Sequence, residues 1–173
     1  MTISLYDASV ASYLQTVQAV SGFLDKGLTY CRDHGIDPEE MVEARIFPDM
    51  FPLRFQIQSV AFHSLGAVEA IQSGLMIPPA ERPAHDYAGL QALITDTGAK
   101  LQAITPEEIN GRAGADVTFR ARGTDRLFTA EGFLLSFSLP NFYFHATTAY
   151  DILRSKGVPL GKMDFISKLR LKA

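Results

Sequence analysis

Glu131-Gly-Phe-Leu-Leu-Ser-Phe-Ser-Leu-Pro-Asn-Phe-Tyr-Phe-His-Ala-Thr-Thr-Ala-Tyr-Asp-Ile-Leu-Arg-Ser-Lys-Gly157 is the longest apolar segment of the chain, and its reading decides the fold. It predicts one long helix from near Ala130 to a stop at Lys156-Gly157. Pro140 falls inside that helix. A proline there removes one backbone donor and crowds the carbonyl four residues back, at Ser136, so a kink is expected. Asn141 and His145 stand four residues apart and share one stripe, with Thr148 and Ile152 further along it. The apolar run from Phe133 to Phe144 is too long for one inward face. A homodimer is expected from it, since an exposed apolar patch usually marks an interface.

Working outward, the preceding residues switch period. Val117-Thr-Phe119 and Leu127-Phe-Thr129 alternate around a turn with Gly and Asp, which predicts a small β-hairpin against the helices. Thr105-Pro-Glu-Glu108 is a proline-first start of one or two helical turns. Asp86 caps a long helix over about Tyr87 to Ala103, and Pro78-Pro-Ala-Glu-Arg-Pro83 before it is an extended loop. Another long helix runs from Pro52 or Leu53 to Ser73 and ends at Gly74. Asp37-Pro-Glu-Glu40 opens a short one reaching Ala44. At the start, Ser4 and Asp7 form a capping box for one helix running to about Asp33, closed by His34-Gly35. Gly22 and Gly27 weaken that helix. The segment from Val158 to Ile166 is apolar enough to fold back across the body.

Four long helices with short connections predict an all-α chain: a single domain over 1–173, built as an antiparallel up-and-down four-helix bundle with a small hairpin before the last helix. The 173 residues, 47% hydrophobic and 20% charged, suffice for one core. A net charge of -3 and a pI of about 5.8 argue against nucleic acid as a partner. The basic end, Lys168 to Lys172, is expected to be a solvated tail. The chain shows no signal-peptide pattern and no membrane span. With one cysteine, Cys31, read as a buried hydrophobe, the expected location is cytoplasmic.

No P-loop, dinucleotide fingerprint, HExxH, CxxC or GxSxG occurs. The chemistry-bearing residues are instead His63, mid-helix among apolar neighbours, and the Asn141/His145 pair. Two inward histidines from different helices and an Asn one turn away serve either a metal or polar ligand or a structural hydrogen-bond network. Imidazole suits Zn, Ni and Fe, while an Asn oxygen is a poor ligand for them. His34 and His85 are read as surface residues at helix boundaries. Glu69 and Asp151 are the mid-helix carboxylates best placed to approach the interior, though surface positions suit them.

Leu139-Pro-Asn-Phe-Tyr-Phe-His145, with Ala149 to Arg154, Gly157 to Gly161, Pro48 to Leu53 and the helix from Gln58 to His63, resembles the signature of an uncharacterised bacterial domain family. That family is similar to the DinB-like (YfiT-like) superfamily of four-helix bundles associated with divalent metals. The resemblance covers nearly the whole chain. It implies three metal histidines, one on the second long helix and two spaced by four on the last. His63 and His145 match two of these positions, and Asn141 stands at the third. Two functions follow. One is a non-catalytic bundle that binds a small molecule over a polar floor of His63, Asn141 and His145, with a degenerate metal site that holds Zn, Ni or Fe weakly. The other is a divalent-metal-dependent enzyme, of transferase or hydrolase type, using His63 and His145 as ligands.

Overall fold

The computed structural model describes residues 3–171. The chain is mostly helical with a small three-stranded sheet. Helices α1 (Leu5–Ala8) and α2 (Val10–His34) occupy the span where one helix was expected. The Ser4/Asp7 capping box forms, but Ser9 leaves helical geometry at φ −112°, ψ −83°. Its hydroxyl donates back to the Leu5 carbonyl at 2.6 Å, a bond that competes with the helix ladder and bends it. Gly35 closes α2 in the left-handed conformation, φ 64°.

Asp37 caps α3 (Pro38–Val42) by accepting from the Glu39 N–H. Helix α4 (Leu53–Ser73) ends at Gly74, φ 80°, and α5 (Tyr87–Ala103) starts on the Asp86 cap. Thr105 and Glu108 make the capping box of α6 (Pro106–Asn110). These boundaries follow the capping chemistry of the sequence closely.

The sheet has one strand more than expected. β2 (Asp116–Ala121) and β3 (Thr124–Thr129) pair antiparallel, and β1 (Leu75–Met76), just past α4, adds to β2 in parallel. The third strand and the packing of Phe119 and Phe128 on Phe137 stabilise what would otherwise be a marginal pair.

Next come α7 (Ala130–Phe133), a π-helical turn over Leu134–Ser138, and α8 (Leu139–Ser155). The expected disturbance at Pro140 takes this form: the Leu139 N–H reaches back to the Leu134 carbonyl. Ser136 is exposed, so a carbonyl lacking its usual donor is open to water. The closing segment folds back as expected. Val158 and Leu160 are buried, and α9 (Lys162–Ile166) lies on α2 through a Gln15 bond to the Ile166 carbonyl and a Lys26–Asp164 ion pair. Lys168 and Arg170 are exposed, and Lys172 lies outside the described residues.

α4 packs on α8, α2 on α5, and α4 on α5. The shared core holds Tyr13 and Phe23 of α2, Leu53 and Ile57 of α4, Leu90 and Ile94 of α5, and Phe142 of α8, all fully buried. Each such side chain contributes about 1.5–3 kcal/mol by leaving water. The apolar run of the last helix is less exposed than its length suggested. Phe133, Leu134 and Phe142 are buried, and of the large apolar side chains in that run only Leu135, Tyr143 and Phe144 stand out, with 59%, 40% and 60% of their surfaces exposed.

The two glycines inside α2 differ sharply. A Cβ on Gly22 meets nothing, whereas one on Gly27 runs into the Tyr87 hydroxyl, which donates to the Leu24 carbonyl at 2.8 Å. Gly22→Ala should therefore raise stability by about 1 kcal/mol through helix propensity alone. Gly27→Ala should instead lower it by about 1–3 kcal/mol through overpacking. Urea unfolding of the two variants checks the pair. Equal and same-signed changes would contradict this account of the α2–α5 contact.

Candidate functional site

The polar residues of α4 form a stripe. Gln56, Ser59 and His63 follow at three- and four-residue steps, so all three share one face. All are buried, although the helix is otherwise apolar on that side. α8 lies opposite and brings His145 against the stripe. The His63 and His145 rings stack with centroids 5.7 Å apart and planes 16° apart.

The surroundings fix the protonation of one ring. Gln56 commits its amide nitrogen to the Phe51 carbonyl at 2.9 Å. Its oxygen therefore faces His145 Nδ1, 2.7 Å away, which must donate. His145 is thus the Nδ1–H tautomer, and its Nε2 carries the lone pair. His63 is different: its Nδ1 is buried with no partner among the described residues. Phe62 and Phe137 wall it edge-on at 5.1 and 5.5 Å, and Phe55 and Phe144 do the same for His145 at 5.8 and 5.3 Å.

A loop completes the site. Arg82, between β1 and α5, donates from Nη1 to the Ser59 hydroxyl at 3.2 Å and lays its guanidinium over the Phe55 ring, 4.2 Å from the centroid. Gln58, next to Ser59 on α4, donates to the Pro83 carbonyl at 2.7 Å and to His85 Nδ1 at 2.9 Å. His85 is thus not the free surface residue expected; it is half-buried and helps hold this loop. His34 does stay exposed at its helix end, with its ring on Tyr30. Cys31 is buried. Glu69 and Asp151 are exposed and bring no carboxylate to the histidines.

Asn141 is half-buried and turns its amide back onto the Phe137 carbonyl at 2.7 Å. Behind the pair, Tyr13 donates to Ser138, and Ser138 donates to the His63 carbonyl, both at 2.6 Å and both buried. This chain ties α2, the π-turn and α4 together at the site. A hollow of about 540 Å³ lies beside the sheet, lined by Phe119, Arg122, Arg126 and Phe137, and the Phe137 ring stands between it and His63.

The sequence pattern brings the two histidines together, as the structure does, and does not single out Gln56, Ser59 and Arg82. The first two carried a signal, being polar residues in step with His63. Arg82 carried none, because a proline-rich loop has no periodicity.

A divalent ion would meet two imidazoles, an Asn amide already engaged through its nitrogen, and the Arg82 cation. No cluster of three His, Cys, Asp or Glu exists among the described residues. A tight site for such an ion needs three or four strong donors. These residues do not fit one.

Burial pushes both imidazoles below their ordinary value, His63 to about 3 with help from His145 and Arg82, and His145 to about 4 with help from Arg82. Both are therefore neutral in the folded chain. As pH falls below about 6.5, the unfolded chain takes up these protons first. Their contribution to stability is full above that pH and is lost as pH drops toward the folded values. The loss approaches about 1.4 kcal/mol per pH unit for each histidine. Urea unfolding at pH 7 and pH 5 should show it, and His63→Gln should remove about half of the difference. Unchanged acid sensitivity in that variant would show that His63 is not held neutral by burial.

The described residues include no helix long and apolar enough to cross a membrane. No curated protein matches the sequence. In fold, the chain is similar to a crystal structure of a DinB family member protein from Shewanella denitrificans. The two are 25% identical, the match covers 98% of this chain and 95% of that one, and the TM-score is 0.82. A family model described as a domain of unknown function, DUF1993, matches residues 5–166, and the chain belongs to that family.

Proposed function

We propose that this chain is a small-molecule-binding protein of the DinB-like type, with His63, Asn141 and His145 as the polar floor of its site and only weak affinity for divalent metal. In this reading α2, α4, α5 and the run from α7 through α8 form an antiparallel up-and-down bundle. The observation that carries it is the pairing of two neutral, stacked imidazoles beside a guanidinium, with no acid among them. Neutral imidazoles donate and accept hydrogen bonds at once, which suits a polar organic ligand. A cation beside them raises the cost of bringing in a second cation.

One feature favours the other reading, a metal-dependent transferase or hydrolase with His63 and His145 as ligands. Gln56 holds His145 by Nδ1–H and leaves Nε2 free, as the supporting residues of metal-bound histidines do. Titration calorimetry with Zn²⁺ separates the two. The wild type should show no stoichiometric binding at micromolar protein. Asn141→His should tighten binding by roughly 10–100-fold by restoring a third imidazole. Tight binding by the wild type would overturn the first reading and favour the enzyme.

The homodimer belongs to the same proposal and rests on Leu135, Tyr143 and Phe144, which stand exposed along one run of the last helix. Light scattering at micromolar concentration should give twice the chain mass of 19.0 kDa. A monomer would remove the dimer and leave the site untouched.

A further inference from the structure

We propose that Arg82, with the ring nitrogens of His63 and His145, recognises a small organic monoanion: a carboxylate carried on an apolar or aromatic body. This deepens the small-molecule reading and rests on it.

Arg82 is half-buried, and a buried cation ordinarily has a carboxylate beside it. Here it has none among the described residues. The ion pairs of those residues use Lys26, Arg32, Arg45, Arg54, Lys100 and Arg120. The titratable groups that bear on the two imidazoles are Arg82 and, for His63, the neutral His145; no acid is among them. An arginine stays charged throughout the accessible pH range. The fold thus holds one fixed positive charge in place, by the Ser59 hydroxyl on one nitrogen and by the Phe55 ring on one face. The rest of the planar fork remains available. That fork matches a carboxylate with two parallel N–H···O bonds.

A second, independent observation points to the same ligand. His63 is 7% exposed, yet its Nδ1 has no partner. Leaving a buried polar atom unpaired costs about 1–3 kcal/mol, and a ligand atom would satisfy it. The walls select the remainder of the molecule. Phe55, Phe62, Phe137 and Phe144 all lie within ring-contact distance of the imidazoles. They suit an apolar or aromatic body. The single guanidinium decides between anions: it matches one negative charge, whereas a phosphate dianion would be left half uncompensated.

The test is an NMR titration of the full chain that follows the imidazole Hε1 resonances of His63 and His145. The probes are benzoate, benzamide as its neutral isostere, and phenyl phosphate. Benzoate should move both resonances to saturation, with benzamide about tenfold weaker or more, the usual loss when a charged hydrogen bond is removed. Arg82→Gln should weaken benzoate by a similar factor, and Arg82→Lys should fall between, keeping the charge without the fork. Benzamide binding as tightly as benzoate would overturn the anion inference and leave the small-molecule site standing. The same holds if Arg82→Gln leaves benzoate affinity unchanged. Phenyl phosphate binding more tightly than benzoate would overturn the carboxylate class. No movement of either histidine with any probe would remove the site together with its ligand.

Discussion

Pro140 has no N–H to give, and the last helix is organised around that lack. The chain answers one turn early, with a π-helical turn over Leu134–Ser138 in which the Leu139 N–H spans to the Leu134 carbonyl. A π-turn takes in one extra residue, so everything after it is rotated by roughly 100° relative to an uninterrupted helix. Ser138 sits at the end of that turn, wholly buried, and donates a hydrogen bond to the His63 carbonyl while accepting one from Tyr13. Past the proline, Asn141 returns its amide to Phe137, and His145, one turn on, faces α4. One missing donor thus sets the rotation of the segment that carries half of the histidine pair.

Electrostatics then separates what the histidines can hold. Two imidazoles alone are an ordinary start to a metal site. Their third neighbour is a guanidinium, and the mid-helix acids Glu69 and Asp151 are on the surface. A divalent cation would enter a region with one uncompensated positive charge and no carboxylate to neutralise it, and burial strengthens that repulsion. The same arrangement lowers the proton affinity of both rings. In the proposed reading, histidine neutrality and weak cation affinity are one property, with desolvation and Arg82 as its common cause.

Much of this was legible in the sequence because capping chemistry is local. Asp37, Asp86 and Thr105 each accept from a backbone N–H two or three residues on, so the helix starts follow from a few side chains. The inward stripes of α4 and α8 were readable from periodicity, and with them His63 and His145. Three features were not. The break at Ser9 depends on a hydroxyl choosing the Leu5 carbonyl, which periodicity does not register. β1 is two residues long, and only its pairing with β2 defines it. Arg82 gains its role from Ser59, 23 residues earlier, and from Phe55, both long-range contacts outside any local pattern.

The division of labour between helix and loop explains why α4 tolerates so many buried polar groups. Gln56 orients His145, Ser59 holds Arg82, and Gln58 anchors the loop through Pro83 and His85. Each is satisfied, so each costs little. A helix face built for stability alone would carry aliphatic residues there, since replacing satisfied polar pairs by packed apolar groups is often neutral or better. Holding the partners on a packed helix gives the loop fixed points from which to present its cation, the way precise sites are held on rigid elements. Within this stripe a single buried atom, His63 Nδ1, is left without a partner among the described residues. Natural sequences agree with themselves at most positions and break the rule where function asks for it. The break here lies on the ring that also faces His145, in the region charged by Arg82, so the energetic and electrostatic signs converge on one point between α4, α8 and the loop.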